Sequence, residues 1–404
     1  MYKFVSGGVC AAKGFRASGI HCGIRAGKTK KDLALIVSDC PANAAAVYTT
    51  NLVKGAPIYV TKKNLENGKA SAVVCNSGIA NTCNANGIEM AQAMCNITAD
   101  ALGISAEDVI VASTGVIGMP IDIEPIRNGM PSLVKSLSYN GSPDAEAAIM
   151  TTDTVPKEFA AVASINGKDV SIGGIAKGSG MINPNMATML SFITTDASVE
   201  PDVLQGLIKS AADQTFNRVS VDGDTSTNDT LAIMANGMSG VKIEEGTAAY
   251  AQFAECLNAV CTQLARTLAK DGEGATKLIE CRVSGAPCKK SALMIADSII
   301  NSPLVKTAMF GEDANWGRIL CAIGYAGAEI DINLTDVDLV SDGGRIAVCR
   351  NGAGVGCDED LALKILKCDE IVIDVNLNQG EEKANAWGCD LSYDYVKING
   401  DYRT

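Results

Sequence analysis

A threonine between a loop and a buried strand is the residue of this sequence best placed to act as a nucleophile. Thr188 follows the small residue Ala187 and the glycine- and proline-containing stretch 177–185, at the beginning of the apolar run 186–195. Glycine and proline predict a loop, and a short apolar run predicts a buried strand. We therefore expect the Thr188 hydroxyl at the mouth of a strand, where it can attack an acyl group.

The base that would activate this hydroxyl is restricted by the histidine content. The chain has a single histidine, His21, in a short segment of weak strand character, and we interpret it as structural. Ser-His-Asp and Cys-His mechanisms are then excluded. The α-amino group of a threonine can serve instead, since its ordinary pKa of about 7.7–8.0 lies near the operating pH.

Thr188 has a free α-amine only after the peptide bond to Ala187 is cut. Its Oγ1 can make this cut by attacking the Ala187 carbonyl, which gives an ester that water hydrolyses. The hypothesis is therefore that the chain cleaves itself between Ala187 and Thr188, and that Thr188 then acts as the nucleophile of an acyl transfer.

For several other polar residues, the sequence alone allows both a functional and a purely structural interpretation. The strand from Asp108 ends in Ser-Thr-Gly115, which forms either an oxyanion hole or an ordinary turn. Four asparagines in the loop 76–87 indicate either a functional loop or a simple turn. The run 151–154 lines a pocket or caps strands, and Glu273, between two glycines, is a solvated turn residue or a partner for a cationic ligand.

Composition excludes several classes of protein. A net charge of −12 argues against nucleic-acid binding, which needs clustered Lys and Arg. The 15 cysteines include no Cys-x-x-Cys pair, so we expect no zinc site and a reduced, cytoplasmic environment. No apolar run approaches the roughly 18 residues of a membrane span. The N-terminal residues lack an apolar signal region, so we expect no signal peptide.

The elements that position these residues alternate between strands and helices. Apolar patterning predicts strands at 32–38, 57–62, 71–75, 108–112, 230–235, 276–283 and 370–375, and a hairpin at 160–173 with its turn at Asn166-Gly167. Helices are predicted at 88–102, 196–213, 247–270 and 289–300, and 301–318 is interpreted as a long loop containing a strand. These features, over 404 residues, indicate an α/β protein of two or three domains.

Several polar and glycine-containing stretches are distinctive when they are taken together and in order. They are 76–81, 113–115, 150–157, 177–190, 221–229, 305–308 and 315–318, with Asn399 and Thr404. This set resembles the ornithine acetyltransferase family, the self-processing bifunctional glutamate N-acetyltransferases of arginine biosynthesis, and the resemblance covers essentially the whole chain.

This resemblance implies a fold and a chain organisation. The fold would be α/β, of the layered α-β-β-α type of the ornithine acetyltransferase and DmpA-like class, with a smaller C-terminal α/β domain. Residues 1–187 would form an α chain and 188–404 a β chain, associated as α2β2. Residues 188–280 would complete the core, and 281–404 would form the C-terminal domain.

The resemblance also implies a reaction and its residues. Thr188 would carry the acetyl group, and Thr114 and Gly115 would form the oxyanion hole. Residues implied in substrate binding are Thr151 or Thr152, Lys177, Thr188, Glu273, Asn399 and Thr404. The acetyl group would pass from N2-acetylornithine to L-glutamate by a ping-pong mechanism, without metal or cofactor; whether acetyl-CoA is also a donor stays open.

Two other classes of function remain as alternatives. A hydrolase of the same architecture, an aminopeptidase or amidase, would give the acyl group to water and would not need glutamate. A binding protein without activity would stay a single chain.

Overall fold

The structure, a computed structural model, describes residues 1–25, 27–183 and 189–401. Ala187, Thr188 and Thr404 lie outside the described residues, so the predicted cleavage site and the division of the chain at 187/188 stay predictions. The chain forms two compact units. The first contains Met1–Gly178, Asn185–Asn217 and Thr225–Leu264, and the second contains Ser179–Pro184, Arg218–Asp224 and Ala265–Thr404.

Strands of the described residues are numbered in chain order. They are β1 Tyr2–Val5, β2 Phe15–Ile20, β3 Leu33–Tyr48, β4 Lys69–Ile79, β5 Val109–Val116, β6 Glu158–Ile165, β7 Lys168–Lys177, β8 Leu190–Thr195, β9 Ser198–Val199, β10 Val219–Ser220, β11 Thr230–Ala235, β12 Lys242–Ile243, β13 Leu278–Ala286, β14 Asp336–Ser341, β15 Gly344–Arg350, β16 Ala353–Gly354, β17 Glu370–Asn376 and β18 Glu382–Cys389.

The α-helices are numbered in the same way. They are α1 Ala56–Asn64, α2 Gly87–Leu102, α3 Glu124–Lys135, α4 Ser142–Ile149, α5 Pro201–Gln214, α6 Ala248–Lys270, α7 Lys289–Asn301, α8 Pro303–Phe310, α9 Trp316–Gly324, α10 Glu359–Leu366 and α11 Tyr393–Gly400. Across the described residues, no helix has the length and apolar character needed to cross a bilayer.

A nine-stranded mixed sheet organises the first unit. Its strand order is β1-β6-β7-β8-β11-β3-β4-β5, with β2 paired to β3. Residues 33–37 of β3 form a continuous apolar run because both faces of the strand are covered there. Leu33, Leu35 and Val37 pack in one buried cluster, and Ala34 and Ile36 pack in another. Helices α4 and α5 contact β3, and α1 and α2 contact β5.

A seven-stranded sheet organises the second unit, in the order β10-β18-β13-β17-β14-β15-β16. Helix α7 packs against β13 and β18, and its apolar residues Ile295 and Ile299 join Ile279, Cys281 and Val283 in one buried cluster. In both units, therefore, helices cover a mixed sheet, which confirms the predicted layered α/β fold class.

The strand predicted at 57–62 is wrong: these residues belong to helix α1. Their β-branched side chains suggested a strand. The exposed positions, Tyr59, Lys62 and Lys63, instead follow helical spacing. The Thr61 hydroxyl accepts a hydrogen bond from the Val111 amide at 2.9 Å and donates to its carbonyl at 2.7 Å, so tertiary contact with β5 stabilises the helix.

The loop predicted at 301–318 is also wrong, since it contains helix α8 and the beginning of α9. Ser302 caps α8 by accepting a hydrogen bond from the Val305 amide at 3.3 Å, and Asn315 caps α9 by accepting one from Arg318 at 3.2 Å. Ser-Pro is a common helix start, because proline fits the first helical turn. The capping signal was present in the sequence but was outweighed by the glycines and polar residues around it.

Candidate active site

The predicted oxyanion residues lie where two parallel strands of the first unit end. Thr114 and Gly115 on β5 are paired with Ser77 and Gly78 on β4. Gly115 has a φ of +129°, and a Cβ at this position would lie 2.6 Å from the Ile79 amide nitrogen and would also overlap the Gly78 carbonyl. Only glycine satisfies both the backbone conformation and this close approach. This contact requires glycine whether the strand end forms an oxyanion hole or an ordinary turn, so the oxyanion hole stays a prediction.

Two polar atoms beside this strand end have no hydrogen-bond partner among the described residues. They are Asn76 Oδ1 and Ser113 Oγ, on residues that face each other in the β4–β5 register, and both are buried. The Asn76 amide nitrogen is bonded to the Ile79 carbonyl at 2.9 Å. An unpaired buried polar group costs about 1–3 kcal/mol. Their presence favours the reading of the asparagine-rich stretch as functional.

Lys177 lies at the end of β7, where it is paired with Leu190 of β8. Only 3% of it is exposed, which is unusual for lysine and requires a nearby negative charge. Asp153 supplies that charge. Burial by itself raises the pKa of Asp153, but the positive charges of Lys177 and Lys157 lower it below its ordinary value. The carboxylate therefore stays ionised and keeps a cation stable inside the first unit.

The same carboxylate brings two predicted substrate-binding segments together. Asp153 accepts hydrogen bonds from the Thr151 amide at 2.8 Å, the Gly178 amide at 2.6 Å and the Lys157 ammonium at 2.7 Å. Thr151 and the Lys177–Gly178 peptide are thus held by one side chain. Thr152 is next to Thr151 and, like it, is half-buried. Sequence reasoning missed Asp153, although an aspartate followed four residues later by a lysine in a polar run was a signal.

Glu146 on α4 extends this buried charge network. Its carboxylate accepts a hydrogen bond from the Lys157 amide at 3.0 Å, and the residue is only 1% exposed. Burial raises the pKa of Glu146 to about 7, although that hydrogen bond and the Lys157 charge lower it. Because the pKa in the folded chain exceeds the ordinary value of 4.5, the folded chain keeps a proton that the unfolded chain loses between these two pH values.

Glu146→Gln is expected to flatten the pH dependence of stability. In the wild type, this carboxyl contributes stability that is fully present below pH 4.5 and is lost as the pH rises through about 7. A neutral glutamine removes that loss, which is on the order of 3 kcal/mol. The measurement is the free energy of unfolding in urea at pH 5 and pH 8. Glu89→Gln, on the exposed face of α2, is the control, and equal pH dependence in all three proteins would refute the prediction.

The second unit brings Glu273 and Asn399 together. Glu273 is only 8% exposed, so it is not a solvated turn residue. Its amide donates to the Ser179 carbonyl at 2.6 Å, and its carboxylate accepts a hydrogen bond from the Asn399 amide group at 2.9 Å. The carboxylate also lies against Gly180, where a Cβ would be 2.7 Å from Oε1. Glu273 therefore contacts the glycine-containing stretch that leads towards position 188.

Asp222 fixes the next residues of that stretch. Its carboxylate accepts hydrogen bonds from the Met181 amide at 2.6 Å and the Ile182 amide at 2.9 Å. Met181 has a φ of +56°, a conformation that a non-glycine residue adopts at a cost. The sequence analysis included Asp222 only within the stretch 221–229 and predicted no separate role for it. Among the described residues, no group of three or more His, Cys, Asp or Glu side chains could hold a metal ion.

Comparison with known proteins assigns the chain to a family. The model of the ArgJ family matches residues 16–404. The chain is 52% identical over 404 residues to the arginine biosynthesis bifunctional protein ArgJ of Caldanaerobacter subterraneus subsp. tengcongensis, and 50% identical over 405 residues to that of Symbiobacterium thermophilum. Each alignment covers 100% of both chains.

A solved structure is also similar. The crystal structure of the arginine biosynthesis bifunctional protein argJ from Bacillus halodurans is 44% identical, with a TM-score of 0.50. The match covers 53% of this chain and 100% of the solved one. These matches confirm the resemblance found in the sequence and the enzyme class that it implied, an acyltransferase: the chain belongs to the ArgJ family.

Proposed function

We propose that this protein is a glutamate N-acetyltransferase that moves the acetyl group of N2-acetylornithine to L-glutamate in arginine biosynthesis. The observation that carries the proposal is the strand end at Thr114-Gly115. There a glycine with positive φ lies so close to Gly78 and Ile79 that no side chain fits. We infer that this strand end presents the Thr114 hydroxyl and a backbone amide to a developing oxyanion.

The proposed mechanism is ping-pong. Thr188 Oγ1 attacks the acetyl carbonyl of N2-acetylornithine, and the Thr188 α-amine takes the hydroxyl proton. Thr114 and Gly115 stabilise the tetrahedral oxyanion, and the proton passes to the departing ornithine amine. The α-amine of glutamate then attacks the acetyl-threonine ester, which forms N-acetylglutamate and restores the hydroxyl. One amide is exchanged for another, so no metal or nucleotide is required.

Self-cleavage before Thr188 supplies the α-amine that this mechanism uses. The predicted fragment 188–404 contains 217 of the 404 residues. The solved structure from Bacillus halodurans supports self-cleavage. The match to it covers 100% of the solved chain but only 53% of this one, whereas the named relatives align along the whole length. A solved chain of about half the length is what one fragment of a cleaved protein would give. We propose that the two fragments stay associated as α2β2.

Two kinds of charged group are proposed for substrate recognition. Lys177, which is buried near the Asp153 carboxylate, is suited to a substrate carboxylate. Glu273, which Asn399 orients, is suited to the cationic amine of ornithine. One of Thr151 and Thr152, together with Thr404, would complete the set of substrate-binding residues. We place the enzyme in the cytoplasm, where its 15 free thiols stay reduced.

The test is an assay of the wild-type protein with N2-acetylornithine, with and without L-glutamate. We expect ornithine and N-acetylglutamate in equal amounts, and sustained turnover only when glutamate is present. Continued release of ornithine and acetate without glutamate would contradict the proposal and support the amidase alternative. A parallel reaction with acetyl-CoA and glutamate shows whether this chain also uses that donor.

A further inference from the structure

The turn before β11 contains two adjacent side chains that contact different parts of the proposed machinery. Asn228 is buried, and its amide nitrogen donates to the Ser113 carbonyl at 2.9 Å and to the Ala80 carbonyl at 2.6 Å. Its oxygen accepts hydrogen bonds from the hydroxyls of Thr82 and Thr227, both at 2.6 Å. Every hydrogen-bonding position of this side chain is therefore used. Because the Ser113 carbonyl belongs to the peptide that joins Ser113 to Thr114, Asn228 fixes the oxyanion strand directly.

Asp229 contacts the other part of the proposed machinery, the backbone next to Thr188. Its Oδ1 accepts a hydrogen bond from the Met189 amide at 3.0 Å, and the next residue, Thr230, donates its amide to the Met189 carbonyl at 3.1 Å. Met189 is thus held through both its amide and its carbonyl, and it is the residue bonded to Thr188. The backbone of Asp229 is itself fixed, since its carbonyl accepts a hydrogen bond from Thr49 at 3.1 Å.

We propose that Asn228 and Asp229 are positioning residues that fix Met189, the residue bonded to Thr188, relative to the strand end at Thr114-Gly115. Asn228 acts through the Ser113 carbonyl, and Asp229 acts through the Met189 amide. The inference rests on the proposed function of Thr188. Two consecutive residues cannot shift far relative to each other, so they form a short bridge of fixed length. A displacement of about 1 Å between reacting groups can cost on the order of 10²-fold in rate.

The proposal assigns Asp229 the role of an acceptor rather than of a charge. Complete burial raises the pKa of Asp229 well above its ordinary value, although the Met189 amide, the Ser226 hydroxyl and the Lys177 charge lower it. Burial therefore disfavours the charged form of this carboxyl group. Asparagine has the same shape and the same accepting oxygen, so it is the conservative replacement for this role.

The experiment compares Asn228→Ala, Asp229→Ala and Asp229→Asn in the full chain. For each, kcat per cleaved chain, KM for both substrates and the half-time of self-cleavage are measured well below the melting temperature. We expect the two alanine variants to lose about 10²-fold in kcat with little change in KM, and to cleave more slowly. Asp229→Asn should recover most of the wild-type kcat. If Asn228→Ala does not fold, Asn228→Ser is used instead, because serine supplies one hydroxyl donor at this position.

A matched control separates positioning from general stability. Asn64 is also buried, and its amide nitrogen also donates to two carbonyls, Val109 at 2.9 Å and Ala106 at 3.2 Å. These carbonyls lie at and just before the opposite end of the same strand, since β5 begins at Val109. Asn64→Ala should lower the melting temperature to a similar extent as Asn228→Ala but leave kcat unchanged.

Three results would overturn the inference: wild-type kcat in folded Asn228→Ala, an equal loss of kcat in Asn64→Ala, or a kcat for Asp229→Asn as low as that for Asp229→Ala. Failure of the proposed function is distinguishable, because the wild-type protein itself would then make no N-acetylglutamate.

Discussion

Thr188→Ala is expected to give one intact chain of 41.8 kDa without transferase activity. The substitution removes the oxygen that is proposed both to cut the chain and to carry the acetyl group. Removal of a catalytic nucleophile lowers kcat on the order of 10⁶-fold, which places residual activity below detection. Denaturing electrophoresis, N-terminal sequencing and the acetyl-transfer assay measure both effects on the same preparation.

Thr188→Ser is the control for this variant, because it keeps a hydroxyl and an α-amine at the same position. It should still cleave and transfer acetyl groups, at lower rates. Two chains in the Thr188→Ala preparation, or transfer by its intact chain, would show that another residue is the nucleophile.

Gly115→Ala is expected to have the second-largest effect. At a φ of +129°, the new Cβ would lie 2.6 Å from the Ile79 amide nitrogen and would overlap the Gly78 carbonyl, so the end of β5 must move away from β4. Loss of one oxyanion-hole donor costs about 10²–10³-fold in kcat. The same loss should slow self-cleavage, since that reaction also passes through a tetrahedral oxyanion. The measurements are kcat per cleaved chain and the cleavage half-time.

Gly118→Ala separates this effect from the backbone cost of replacing a glycine. Gly118 also has a positive φ, +80°, but a Cβ there would meet no atom within 4 Å. It should destabilise the protein by about 1 kcal/mol and leave kcat unchanged. Equal kcat values for the two variants would show that Gly115 is not part of the oxyanion hole.

Local patterns in the sequence were sufficient for several elements. The hairpin turn at Asn166-Gly167 was predicted from its residue types, and both residues have positive φ in the structure, as that turn requires. The helix predicted at 247–270 is observed as Ala248–Lys270. The motif stretches led to the correct family because they are long and occur in the right order. These features depend on neighbouring residues, which is why the sequence was informative about them.

Residues whose roles depend on distant parts of the chain could not be identified in this way. Asn228 and Ala80 are 148 positions apart, and their hydrogen bond follows from the neighbouring positions of β11, β3, β4 and β5 in one sheet. Asp153 reaches Gly178 across 25 positions, and Asp222 reaches Met181 across 41. In the sequence, Asp153, Asp222 and Asn228 were only polar residues within polar stretches between predicted elements. Helix α1 was missed for the same reason, since contact with β5 outweighs the strand propensity of its residues.

The central claim is that Thr188 becomes the first residue of a separate chain and then carries the acetyl group. Mass spectrometry of the wild-type protein, incubated with N2-acetylornithine while glutamate is withheld, tests both parts at once. We expect a fragment that begins at Thr188 and bears one acetyl group on that residue, and this group should disappear when glutamate is added. An uncleaved chain that turns over substrate, or an acetyl group that passes to glutamate from any other residue, would contradict it.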